Sequence, residues 1–185
     1  ALGAQAGSIE PVEAVLSTAE DGSTQLNARF DIDLGPRLED AVSRGVPLYF
    51  TFEFELTRPR WWWSNEYVVT KNLTYRLSYT ALTRQYRLTT GNLHRNFATL
   101  EEALRVLARV ADMHIADKGA LKNGETYEVG MRLALDRNQL PKPLQVDAIA
   151  NRDWQVDTRV LRWSYVPAPY APPPALPSPA SETHP

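Results

Sequence analysis

The residues of this chain best equipped for chemistry are cationic and aromatic, and they cluster. From Arg58 to Arg95 the sequence carries Arg58, Arg60, Lys71, Arg76, Arg84, Arg87 and Arg95 against a single acid, Glu66. Trp61, Trp62 and Trp63 and four tyrosines (Tyr67, Tyr75, Tyr79 and Tyr86) are interleaved with them. A guanidinium presents a planar fork of donors that matches carboxylate or phosphate. Aromatic rings stack on bases, settle at membrane interfaces or lie under cations. The segment is therefore a candidate binding site for an anionic partner, formed by Arg58, Arg60, Trp61, Trp62, Trp63, Arg76, Arg84 and Arg87. A plainer reading competes with it. Arg76 alternates away from Tyr75 and Leu77, and Arg87 away from Tyr86 and Leu88, so both can belong to the solvated face of two adjacent strands. Glu53 and Glu55 on the preceding strand would then pair with them across the sheet.

The tryptophan triplet poses a geometric problem. Successive residues of a strand point to opposite faces, so three in a row cannot all enter one core. Pro59 disrupts strand pairing just before them. The plainer expectation is a corner that buries one or two rings and lays another under an arginine.

Other chemistries find little support. There are no cysteines, which excludes thiolate ligands, disulfides and a cysteine nucleophile. His94, His114 and His184 are far apart and lack a metal-ligand spacing. His114 is expected just after a helix end, where a cation is favoured. Asp31 and Asp33 could suggest calcium, but they are i, i+2 on a strand, without the further ligands and loop glycine of a calcium loop. No nucleophile elbow, phosphate loop or dinucleotide fingerprint occurs. The expectation is a protein without cofactor or metal, and not an enzyme.

The 185 residues, 43% of them hydrophobic, suffice for one packed domain. The net charge of −2 gives no bulk attraction to nucleic acid, and none is expected as a partner. No apolar run reaches the roughly 18 residues of a membrane-spanning helix. Ala4-Gln5-Ala6 has the small-x-small form of a signal-peptide end, which predicts export.

Most of the chain alternates with period 2. Val12, Ala14 and Leu16 precede an Asp21-Gly22 hairpin signal. Leu26, Ala28, Phe30, Ile32 and Leu34 follow. The clearest strand is LYFTFEFEL, with Leu48, Phe50, Phe52, Phe54 and Leu56 on one face. Leu73 to Tyr79, Tyr86 to Leu88, Tyr127 to Leu135 and about Trp154 to Tyr165 repeat the pattern. Two segments read as helices. GPRLEDAVSRG has Pro36 near its start and Gly45 past its end. TLEEALRVLARVAD has Thr99 and Glu102 at capping-box spacing, with an apolar stripe running to Val110 and Ala111. Seven to eight antiparallel strands with two short helices predict a mainly β fold, a β-sandwich, with a closed β-barrel as the alternative. The organisation predicted is a short remnant over 1–8, one domain over 9–166 and a proline-rich tail over 167–185. That tail holds eight of the 14 prolines. It reads as an extended spacer, although PPPALP also has the spacing read by proline-recognising grooves.

The series GPRLEDAVSRGVPLYFTFEFELTRPRWWW, LTYRLSYTALTRQYRL and FATLEEALRVLARV, followed by a proline-rich end, resembles a family of exported bacterial proteins, domain-of-unknown-function family 4390. The resemblance runs from about Ile9 to Val166. It implies a bacterial, periplasmic protein of one domain with a cleaved signal, and supplies no catalytic residues. It also implies a partner, because such proteins are often encoded beside a membrane sensor histidine kinase. The function expected is thus a non-enzymatic exported interaction module serving a sensor kinase or another envelope protein. The alternative is binding of anionic lipid or envelope polymer through segment 58–95.

Overall fold

The computed structural model describes residues 6–60 and 66–175. Their strands are β1 (Gly7–Thr18), β2 (Thr24–Asp33), β3 (Leu48–Arg58), β4 (Glu66–Thr80), β5 (Gln85–Thr90), β6 (Leu93–Phe97), β7 (Arg109–Ala116), β8 (Tyr127–Leu135), β9 (Val156–Thr158) and β10 (Leu161–Tyr165). The helices are α1 (Gly35–Ser43), α2 (Leu100–Leu107) and α3 (Lys142–Ala150). The strands form two sheets, β7-β2-β1-β9 and β10-β8-β3-β4-β5-β6. The fold is mainly β and the sheets do not close into a barrel.

The alternation in the sequence explains the layering. Leu48, Phe50, Phe52, Phe54 and Leu56 on β3 are all fully buried, as are Tyr127, Val129, Met131 and Leu133 on β8. From the smaller sheet, β2 turns Leu26, Ala28 and Phe30 toward them. Phe30 meets Phe52 edge to face, with ring centroids 6.1 Å apart and planes at 79°, the arrangement that ring quadrupoles favour. Each such side chain contributes about 1.5–3 kcal/mol by leaving water. Tyr49, Thr51, Glu53 and Glu55 alternate to the other face of the larger sheet, which stays accessible. That face positions the candidate site.

The helices cap the core. In α1, Pro36 lies in the first turn and Leu38, Ala41 and Val42 are buried. Gly45 follows at φ 99°, a left-handed conformation that suits glycine at a helix end. In α2, Thr99 Oγ1 accepts from the Glu102 N–H at 3.2 Å, and Glu102 reaches back to the Ala98 N–H at 3.2 Å. The helix stops at Leu107, so Val110 and Ala111 belong to β7 and not to the helical stripe. His114 accordingly sits within a strand rather than after a helix. A third helix, α3, occupies a segment in which none was expected.

The last predicted strand is two. β9 pairs parallel with β1, while β10 pairs antiparallel with β8, so the chain changes sheets between Thr158 and Leu161. Beyond β10 the first tail residues lie against the body. Pro167 is buried and its carbonyl accepts from the Gly124 N–H at 3.1 Å. Thr18 Oγ1 donates to the Ala168 carbonyl at 2.6 Å.

Candidate anion-binding sheet face

Antiparallel register assembles the site on the outer face of the larger sheet. Tyr49 on β3 lies opposite Arg76 on β4, Arg76 opposite Thr89 on β5, and Thr89 opposite His94 on β6. The next row carries Ser78, Arg87 and Asn96 on β4, β5 and β6. Side chains in one row share a face because the strands are in register, and neighbouring strands are about 4.8 Å apart. Two guanidinium groups and several hydroxyl and amide groups therefore occupy one small patch.

Among the described residues, the cations of this patch bond to neutral groups only. Arg76 Nε donates to Tyr49 Oη at 3.2 Å and its Nη1 to Ser78 Oγ at 3.4 Å. Arg87 Nε donates to Asn96 Oδ1 at 3.1 Å. Among the described residues, no carboxylate oxygen lies within 4.0 Å of either guanidinium. A guanidinium has five N–H donors, so most of the donors of Arg76 and Arg87 face solvent.

The other half of the same face is arranged differently. Glu53 on β3 pairs with Arg132 on β8, and Glu55 Oε1 lies 3.6 Å from Arg162 Nη1 on β10. Glu128 accepts from Ser164 Oγ at 2.8 Å. The two glutamates thus find their partners on the side of β3 away from Arg76, not on β4. Gly130 leaves room for this, since a Cβ there would lie 3.2 Å from Glu55 Cγ and Oε1. A shallow groove of about 390 Å³ runs over it, between Glu53, Glu55, Asn72, Arg132 and Arg162.

Arg58 and Arg60 belong to neither half. They sit at the far end of β3 and just beyond it, held by acids. Arg60 Nη2 lies 2.6 Å from Glu66 Oε2, while Arg58 lies 3.9 Å from the same oxygen and 3.4 Å from Glu125 Oε1. The Arg58 guanidinium also lies over the Tyr127 ring, 5.7 Å from its centroid. Tyr127 donates to Glu125 Oε2 and accepts from the Lys122 N–H, both at 3.1 Å. The hydrogen bond from Arg60 holds the Glu66 carboxyl below its ordinary pKa; burial opposes it, and the positive charges of Arg60 and Arg58 add to the lowering. Contact with the Tyr127 hydroxyl raises the Arg58 pKa, with Glu125 and Glu66 adding to it.

The remaining predicted site residues separate further. Arg84 stands at the tip of the β4–β5 hairpin at φ 54°. Trp61, Trp62 and Trp63 lie outside the described residues. Lys71 and Arg95 alternate to the inner side of the sheet, where Arg95 lies 5.5 Å over the Phe97 ring. Of the eight residues predicted, the fold brings Arg76 and Arg87 together. It adds Tyr49, Ser78, Thr89, His94 and Asn96, which charge counting missed. Their signal was the period-2 phase of four strands taken together.

Two smaller expectations resolve structurally. Asp33 Oδ1 accepts from the Gly35 N–H at 2.9 Å and so shapes the turn into α1. His114 Nε2 lies 2.9 Å from Asp117 Oδ1. Among the described residues, no three His, Asp or Glu side chains are grouped to hold a metal ion, and no helix is long and apolar enough to cross a membrane.

No curated protein and no solved structure matches this chain. A family model does, described as Domain of unknown function (DUF4390), over residues 6–164. That span takes in all ten strands but for the last residue of β10, and by it the chain belongs to the DUF4390 family.

Proposed function

We propose that this protein is a non-enzymatic, exported interaction module that holds an anionic partner on the outer face of β4, β5 and β6. One observation carries the reading: Arg76 and Arg87 stand on adjacent strands, in neighbouring rows of an accessible sheet face, and among the described residues they bond only to Tyr49, Ser78 and Asn96. An anion would add charge-assisted bonds without displacing an existing ion pair. The hydroxyls of Ser78 and Thr89 and the amide of Asn96 supply further contacts. These groups spread over a flat face instead of converging on one point, which suits holding a surface and not reacting atoms. The partner proposed is an acidic region of an envelope protein, the membrane sensor kinase implied by the family resemblance being the first to test.

The test is capture of envelope proteins by the purified protein and by an Arg76→Glu/Arg87→Glu double variant. The double variant should lose its captured partner, with a binding loss of about tenfold or more, while its urea melt is unchanged. Equal capture by both proteins would remove the face as the site. Sedimentation with anionic vesicles, run beside it, addresses lipid binding: loss of vesicle binding alone would favour the lipid alternative.

A further inference from the structure

We infer that the partner of this face is an extended acidic segment of another protein, which adds to β6 as a further strand of the larger sheet. The inference rests on the reading above and names the form its ligand takes. It begins with the sheet edges. An exposed edge offers unpaired backbone N–H and C=O groups, and folded proteins blunt such edges with bulges, prolines or very short strands. Two of the four edges here are blunted. β7 pairs with two register shifts and carries Asp112 at φ 47°. β9 has three residues. β10, like β6, has five residues in unbroken register and no proline, but it borders the half of the sheet whose glutamates already have partners. β6 has none of these devices. Its five residues pair with β5 in unbroken register from Thr90–Leu93 to Tyr86–Phe97, with no proline.

The ladder determines which groups are free. A two-residue turn, Gly91-Asn92, joins β5 to β6, so the flanking pair Thr90–Leu93 is a hydrogen-bonded one. Bonded and non-bonded pairs then alternate, and the backbone groups of His94 and Asn96 point away from β5. They are the donors and acceptors an added strand would use, the mode of recognition known as β-augmentation.

The side chains at this edge select for acid. His94 and Asn96 continue the rows headed by Arg76 and Arg87. Arg87 donates to Asn96, so its guanidinium already leans over β6 and faces the place of a new strand. On the other face the added strand would pass Leu93, which is 78% exposed, and Arg95. Among the described residues, neither Arg87 nor Arg95 has a carboxylate within 4.0 Å. A segment with alternating acidic and apolar residues matches both faces. A second copy of β6 does not, because antiparallel pairing centred on the strand would set Arg95 against Arg95.

The test uses a capped ten-residue peptide of alternating Asp and Val, and the same peptide N-methylated at every second residue. The two share charge and side chains, but the second cannot complete a ladder. The first should bind and the second should bind about tenfold or more weakly. Binding should protect the His94 and Asn96 amides from hydrogen exchange. Asn96→Pro removes an outward N–H and should weaken the first peptide to the level of the second. If that variant misfolds, the exchange measurement on the unaltered protein decides alone. Equal binding of the two peptides, or no protection at His94 and Asn96, overturns the added strand and leaves the charged face standing. Protection of those amides without peptide, rising with protein concentration, would replace the inference with self-pairing. If the Arg76→Glu/Arg87→Glu variant binds peptide and envelope partners as well as the parent, the face itself is wrong and both readings fall.

Discussion

The outer face of the six-stranded sheet has two halves built from the same kinds of residue to opposite ends. On β10, β8 and β3, acid and base alternate across strands, and Glu53 and Glu55 are matched by Arg132 and Arg162. On β4, β5 and β6, Arg76 and Arg87 meet hydroxyl and amide oxygens and, among the described residues, no acid. Exposed ion pairs contribute about 0.2–1 kcal/mol each, so the first half gains slightly in stability and closes its charges to outsiders. The second half forgoes that gain and keeps its donors available. The contrast separates a surface whose charges are paired within the chain from one whose cations, among the described residues, are not.

The largest effect should come from breaking what both halves stand on. Phe52 lies fully buried beneath them, between Leu73 and Leu133 and against Phe30. Phe52→Ala should cost about 3–5 kcal/mol in urea unfolding, and any binding loss should track the unfolded fraction. A loss below about 1 kcal/mol would mean that the two sheets are not packed through this contact.

A smaller change should make the cationic half resemble its neighbour. Thr89 lies between Arg76 and His94 in the same row. Thr89→Glu would give Arg76 the acid that it lacks. Stability should rise by about 0.2–1 kcal/mol, and capture of the anionic partner should fall. Unchanged capture would show that an unmatched Arg76 is not what the partner reads.

The smallest effect belongs to the corner where Arg58 and Arg60 hold Glu66. The Glu66 pKa is lowered in the folded protein by the bond from Arg60. The folded state therefore binds this proton less readily than the unfolded chain. The resulting stability is present above the ordinary glutamate pKa and is lost as pH falls through the lowered value. Glu66→Gln should abolish this part of the acid sensitivity. Urea midpoints of both proteins, measured between about pH 6 and about pH 2, should converge toward the acid end. Parallel profiles would mean that the carboxylate contributes nothing specific.

Much of the fold was legible because alternation survives without knowledge of partners. The face of β3, the start of α1 and the cap of α2 follow from local residues alone. The misses have physical causes. In α3 the apolar Val146 and Ile149 are 67% and 82% exposed, so its sequence has no inward stripe to read, and Pro141 and Pro143 resemble loop residues. The stripe of α2 seemed to continue because Val110 is also buried, but from a strand. The candidate site was harder to read. A count of charges along residues 58–95 joins groups that the fold sends to a corner, to both sides of a sheet and to a hairpin tip. Strand order decided the rest. Glu53 and Glu55 could have faced β4, and their actual partners come from strands far later in the chain.

The parallel pairing of β1 with β9 has a consequence for how the molecule comes into being. Gly7, Ser8 and Ile9 face Val156, Asp157 and Thr158, and the Gly7 N–H donates to the Gln155 carbonyl at 3.0 Å. β1 thus waits for a strand far along the sequence. Until then the β1–β2 hairpin has an open edge and the small sheet lacks its closing member. Contacts this distant in sequence are slow to form, because a long loop must close before they give anything back. The small sheet can therefore reach its full width only after β9 has been made.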